Sequence, residues 1–145
     1  MSQATPADPT SRPRLWPAAL AAIGGGGAVI IGTFLPWMTL FAGLYEYPGI
    51  TGLNGWLVLA GGVLAVVAGG WLLLRPGPIP GHLTGLLGLT LLGWSLWLVV
   101  QQRALLEELL VHHPMTAAGL GPGLLVVACG AFLVALTPLL RLARW

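Results

Sequence analysis

No lysine occurs in the chain, and charge of either sign is scarce: six basic residues, all arginine, stand against four acids in 145 residues, 7% charged in all. A soluble domain carries about a quarter charged residues, so water is excluded as the main solvent of this surface. Six arginines scattered along the length make no basic patch, which excludes a nucleic-acid footprint. A single cysteine, Cys129, excludes an intrachain disulfide and a Cys-x-x-Cys motif; it lies in an apolar run and reads as a small core hydrophobe. No Ser-His-Asp, Cys-His or paired-carboxylate arrangement can be assembled, so no catalytic residue and no cofactor are expected and the chain reads as a non-enzyme. The long apolar runs contain no Asp, Glu or Arg, the residues that pumps and coupled transporters place at mid-depth. Gly24 to Gly27 lie inside such a run with no Lys-Ser/Thr after them, so they form no phosphate loop.

What is present is apolar. Hydrophobic residues make up 57% of the chain and the mean hydropathy is +0.89, so the expected solvent, and the first partner, is a lipid bilayer. Residues 1–13 are rich in Ser, Thr and Pro without apolar period and read as a disordered cytoplasmic tail ahead of a transmembrane domain over 14–145. Four spans follow, at about 15–35, 56–74, 82–100 and 120–140, each near the ~20 residues that cross ~30 Å of hydrocarbon. The first, at about 21 residues, is longer than a signal-peptide core and ends in Pro36-Trp37 instead of a small-residue cleavage site, so it reads as retained. Arg75-Pro-Gly-Pro-Ile-Pro-Gly81 separates the second and third spans and forbids a continuous helix there. The fold expected is all-α: an antiparallel four-helix transmembrane bundle with a small extracytoplasmic hairpin-like cap.

Four spans put Arg12, Arg14, Arg75, Arg141 and Arg144 on one side and leave only Arg103, with Glu46, Glu107 and Glu108, on the other. The positive-inside rule then places both termini and the 75–81 loop in the cytoplasm, in a multi-pass protein of the plasma (inner) membrane. Trp16, Trp71 and Trp145 fall near the inner interface and Trp37, Trp56 and Trp97 near the outer one, as in an aromatic belt.

The outer loops are 36–55 and 101–119. In the first, Thr39, Phe41, Tyr45, Tyr47, Ile50 and Thr51, with the turn residues Pro48 and Gly49, predict two short extended segments, and Asn54-Gly55 a turn into the second helix. Trp37, Tyr45, Glu46, Tyr47 and Trp56 are the candidates for interaction at this cap. In the second, QQRALLEELLVHH keeps a helical pattern, so the third helix outgrows the membrane and either projects over the first loop or bends into the interface, with Pro114 ending it. His112, His113 and Met115 near Glu107 and Glu108 form the one polar cluster with metal-ligating chemistry; adjacent histidines on a helix point about 100° apart, so no metal site is assigned there. His82 reads as an interfacial polar residue. Thr33, Thr90, Ser95 and Thr137 can satisfy their hydroxyls on their own helices.

Glycine is abundant, at 22 residues. Gly24, Ala28 and Gly32 recur every four residues in the first span, and Gly61, Ala65 and Gly69 do so in the second. Such stripes let backbones approach closely where lipid provides no hydrophobic drive, either within the bundle or against a second copy or another partner. Finally, Leu35-Pro36-Trp37, Gly49-Ile50-Thr51-Gly52 and Gly55-Trp56 resemble the outer "L-P-W … G-I-x-G-x-x-G-W" segment of small bacterial four-span membrane proteins that have no assigned function. The resemblance covers about residues 30–75. A superficial similarity to claudin-type tetraspans, through Trp37 and Gly43-Leu44-Tyr45, lacks that family's two loop cysteines and is architectural only. The expected role is a non-enzymatic scaffold or accessory subunit, in a larger membrane complex or a homo-oligomer, acting through helix packing and the outer cap; the alternative is passive small-molecule transport or lipid binding.

Overall fold

The computed structural model describes residues 16–75, 78–112 and 117–142. The expected tail and Arg12, Arg14, His113, Pro114, Met115, Arg144 and Trp145 lie outside them. The chain runs α1 (Trp16–Phe34), β1 (Pro36–Leu40), β2 (Tyr45–Pro48), α2 (Leu53–Leu74), α3 (Pro78–His112), β3 (Gly119–Leu120), α4 (Pro122–Ala135) and α5 (Thr137–Leu142). The fold is predominantly helical, and four helical segments, at 16–34, 53–74, 79–112 and 122–140, are long and apolar enough to cross a membrane.

Two helix starts come earlier than expected. α2 begins at Leu53, so Asn54-Gly55 lies in its first turn and the chain turns at Gly52 instead. α3 begins at Pro78: Pro78 and Pro80 sit in a first turn, where the missing N–H groups have no intrahelical partner to lose. Residues 101–112 continue α3 without a break, giving 35 residues, or about 52 Å. The fourth segment is interrupted at Leu136, where Pro138 has no N–H to give to the Val134 carbonyl; the Leu136 N–H keeps its regular bond to the Phe132 carbonyl and also reaches that of Val134.

α1 is the central element, packed against both α2 and α4. The contacts are backbone on backbone. A methyl group placed on Gly25 would fall 2.6 Å from the Gly130 carbonyl oxygen, and one on Gly26 would fall 2.8 Å from the Gly62 carbonyl oxygen. Gly69 packs on Ala22 and Ile23, Gly62 on Val29 and Ile30, and Gly32 on Gly123 and Val127. Along α1 the facing positions therefore climb while those on α2 and α4 descend. α3 leans on α4 and α5, with Gly88 against Ala135 and Gly85 against Pro138, and meets α2 where Gly61 receives the Leu91 side chain.

Alanines fill much of the interior beside Leu72, Leu124, Val29 and Val127, and large apolar side chains also cover the exterior. Ala18, Ala19, Ala22, Ala65 and Ala131 are within 1% of complete burial, while Leu20, Ile31, Val67, Leu86, Leu125 and Phe132 are all more than half exposed. In water such a belt would be a large association surface; in hydrocarbon it is the expected exterior. The described buried polar side chains are Thr33, Thr84, Ser95 and Thr137. Thr33, Thr84 and Ser95 donate to Ile30, Pro80 and Leu92 carbonyls of their own helices, as exposed Thr90 does to Leu86. Thr137 departs from expectation: its hydroxyl is buried without a partner. Cys129 departs as well, since it is exposed on the outer face of α4 and not in the core.

Candidate functional site

The cap over the α1 C-terminus is a three-stranded sheet in the order β2-β1-β3. β1 and β2 pair antiparallel, with Leu40 opposite Tyr45, Thr39 opposite Glu46 and Met38 opposite Tyr47. β3, which has no signature in two residues of sequence, pairs with β1 at Met38–Leu120 and Thr39–Gly119. The register slips between Pro36 and Met38, so Trp37 is the extra residue of a bulge. A bulge re-aims its side chain, and the Trp37 indole turns down into the helix ends.

There it closes an accounting gap. The Gly32 carbonyl would normally accept from the N–H of residue 36, and Pro36 has none. The Trp37 indole Nε1–H donates to that carbonyl instead, at 2.9 Å and buried. The indole is 4% exposed, wedged against Gly49 and Gly123, neither of which could carry a side chain there. Trp37 is thus part of the core, not an outer-cap contact as the sequence suggests. Its unusual backbone position, one residue past Leu35-Pro36, is what buries it.

The other cap candidates are outward. Tyr45 is 62% and Tyr47 51% exposed, Glu46 is exposed between them, and Trp56 is 58% exposed. Two exposed neighbours are not among the interaction candidates that the sequence offers: Leu44, and Phe41, whose ring stands 5.9 Å from Tyr45 in an edge-on pair. The turn that presents them is built from residues of positive φ, Phe41 (52°), Ala42 (55°) and Gly43 (93°). Two of these are not glycine, and the turn is held by the Ala42 N–H donating to the Ala117 carbonyl at 3.3 Å.

Beside the sheet, the last turns of α3 form the far wall of a cleft of about 520 Å³, with Tyr47, Gly52 and Asn54 on one side and Leu98, Gln102 and Glu108 on the other. Its size falls within the range of small-ligand sites. Glu108 gives the cleft one acid, and Gln102, which also lines it, has an Oε1 atom that is buried without a donor. A second cavity of about 560 Å³ lies between α2 and α3 at the opposite end, walled by apolar side chains and reached by Arg75. No α1 or α4 residue lines either cavity.

The small-residue stripes divide. Gly61, Ala65 and Gly69 are buried in α2 against α3 and α1. In α1, Gly32 is buried on α4 and Ala28 touches the Gly130 position, but Gly24 faces open space, as does Gly27. The contact glycines are Gly25 and Gly26, one residue further on, because α1 serves two neighbours at once and one stripe cannot describe two faces. At the end of α3, His112 Nδ1 lies 2.9 Å from the Glu108 carbonyl oxygen, and among the described residues no group of three His, Cys, Asp or Glu side chains could hold a metal ion. His82 is exposed at the start of α3. Trp94 and Trp97 form a tilted pair, 5.2 Å between ring centres, on the exposed face of α3. Comparison with family models, curated proteins and solved structures finds no match.

Proposed function

We propose that the chain is a multi-pass protein of the plasma membrane, an antiparallel four-helix bundle with both termini cytoplasmic, acting as a non-enzymatic scaffold or accessory subunit. The observation that carries this reading is the closed interior around α1. Glycines 25, 26, 62 and 130 bring three helix backbones to contact distance. The buried hydroxyls of Thr33, Thr84 and Ser95 are spent on their own helices, and the two cavities described above lie to the side. A conduit needs a polar path between helices, and this packing favours a scaffold over passive transport. The arginine distribution supports the orientation. The cap supports an outward interaction surface, where Phe41, Leu44, Tyr45 and Tyr47 stand exposed around Glu46.

Purification of the tagged full chain in mild detergent tests the role. Co-purification of a defined membrane partner, lost on Tyr45→Ala with Leu44→Ala, is the expected result. Recovery of a bare monomer from native membranes, with or without those substitutions, would sink the accessory-subunit reading.

A further inference from the structure

The cavity between α2 and α3 has a shape and a charge that specify an occupant. On α2 its wall is Leu64, Val67, Ala68 and Trp71, then Arg75: steps of three and four residues that form one helical face. On α3 the wall runs from Ile79 to Leu87. The one polar side chain among these besides Arg75 is Thr84, whose hydroxyl already donates to the Pro80 carbonyl at 2.7 Å. The groove exists because α3 departs from α2. The two helices meet at Gly61 and Leu91, and beyond that point Gly88 and Gly85 draw α3 onto Ala135 and Pro138, leaving the α2 face from Leu64 onward uncovered.

We propose that this groove binds one acyl chain of an anionic phospholipid, whose phosphate is met by the Arg75 guanidinium. The inference rests on the membrane embedding proposed above. Length decides between a lipid and a helix as occupant. From Leu64 to Arg75 is about 16 Å along the α2 axis, close to half of the ~30 Å hydrocarbon thickness and so to one leaflet. A transmembrane partner helix needs a seam along the whole thickness, and the Gly61–Leu91 contact closes this one at its midpoint. Charge decides the headgroup. Arg75 stands one helical turn beyond Trp71, at the level where an indole marks the interface. The described acids, Glu46, Glu107 and Glu108, all lie in the cap or in the far end of α3. Among the described residues no carboxylate lies at the Arg75 end, and a guanidinium so placed favours a phosphate, which it engages through paired N–H groups.

The test uses the full chain in phosphatidylcholine vesicles doped with brominated phosphatidylglycerol or brominated phosphatidylcholine, whose bromines quench an indole they touch. The Trp71 signal is the difference between wild type and Trp71→Phe. Trp71 should be half-quenched at an about fivefold lower fraction of the anionic lipid, the preference one basic residue gives at a membrane surface. Arg75→Gln should equalise the two lipids, and Arg103→Gln at the other end should leave the preference intact. Ala68→Phe fills the groove while keeping the charge, and should also remove the preference, which a simple surface attraction to Arg75 would survive. Equal quenching in the wild type, or a preference that persists in Arg75→Gln or Ala68→Phe, would overturn the proposal. So would a doubled mass without lipid in native mass spectrometry, which assigns the groove to a second copy. Failure of the chain to float with vesicles refutes the membrane reading itself, whereas insertion without preference refutes the lipid site alone.

Discussion

Gly24 and Gly25 are neighbours in α1 and face different worlds, which makes a valine at each a direct test of the helix packing. A side chain at 24 meets nothing within 4 Å. At 25 the first carbon alone would lie 2.6 Å from the Gly130 carbonyl oxygen, 2.8 Å from Val134 Cγ2 and 3.0 Å from the Val134 nitrogen. Carbon–oxygen contacts settle near 3.3–3.6 Å, so α1 and α4 must part by roughly 0.7–1 Å before the valine methyls are placed. Overpacking costs about 1–3 kcal/mol. Gly25→Val belongs at the top of that range, because two of the three obstructing atoms are backbone and cannot rotate away. The gain in helix propensity from Gly to Val, about 0.3 kcal/mol, is the same at both positions and cancels in their difference. The expected gap is about 3 kcal/mol, or roughly 150-fold in the folded-to-unfolded ratio. Titration of SDS into mild-detergent micelles, followed by tryptophan fluorescence, measures it. Adding Val134→Ala to Gly25→Val should recover only part of the loss, since the Gly130 oxygen remains. Equal losses at 24 and 25, or a greater one at 24, would refute the assignment and restore the Gly24-Ala28-Gly32 stripe as the working interface.

Two further outcomes follow from single contacts. Trp37→Phe keeps the aromatic bulk but leaves the buried Gly32 carbonyl without the donor that Pro36 cannot supply; the same titration should show a loss of about 1–3 kcal/mol, and a change of only a few tenths would mean that the indole N–H is dispensable. Cys129 is exposed on α4, seven positions past Pro122 and so about 10 Å into the helix; a charged maleimide, which needs a hydrated thiolate, should leave it unlabelled in sealed vesicles and label it after SDS, and ready labelling in intact vesicles would contradict a bilayer around this face.

The helices were legible in the sequence because a run of apolar residues with no charge carries its meaning without reference to anything else. Their ends were less so. Pro78 and Pro80 look like breakers and turn out to open α3, since a proline's effect depends on whether its turn is the first one. The extended segments of the cap were visible from Thr39, Tyr45 and Tyr47, whereas β3 was not, because a two-residue strand is defined by its partner. Nothing in the sequence distinguishes Thr84, although it is buried on α3 and set in the groove wall. Trp37 stands out in the sequence, but its burial does not, because a bulge is a property of two strands and one register.

The same limit explains why neither cavity has a sequence signature. The groove is lined by α2 from Leu64 to Trp71 and by α3 from Ile79 to Leu87, and its openness is set elsewhere, where Gly85 and Gly88 let α3 settle on α4 and α5. Glycine acts here at a distance. By permitting one close approach it withdraws the helix from another neighbour, so small residues on the α4 face of α3 create an apolar vacancy on the α2 face. A periodic stripe read along one helix records that a close contact is permitted; it does not record which neighbour claims it or what the displaced face is left to bind. In this fold those two facts are set by α1 holding α2 and α4 together, and by α3 choosing α4.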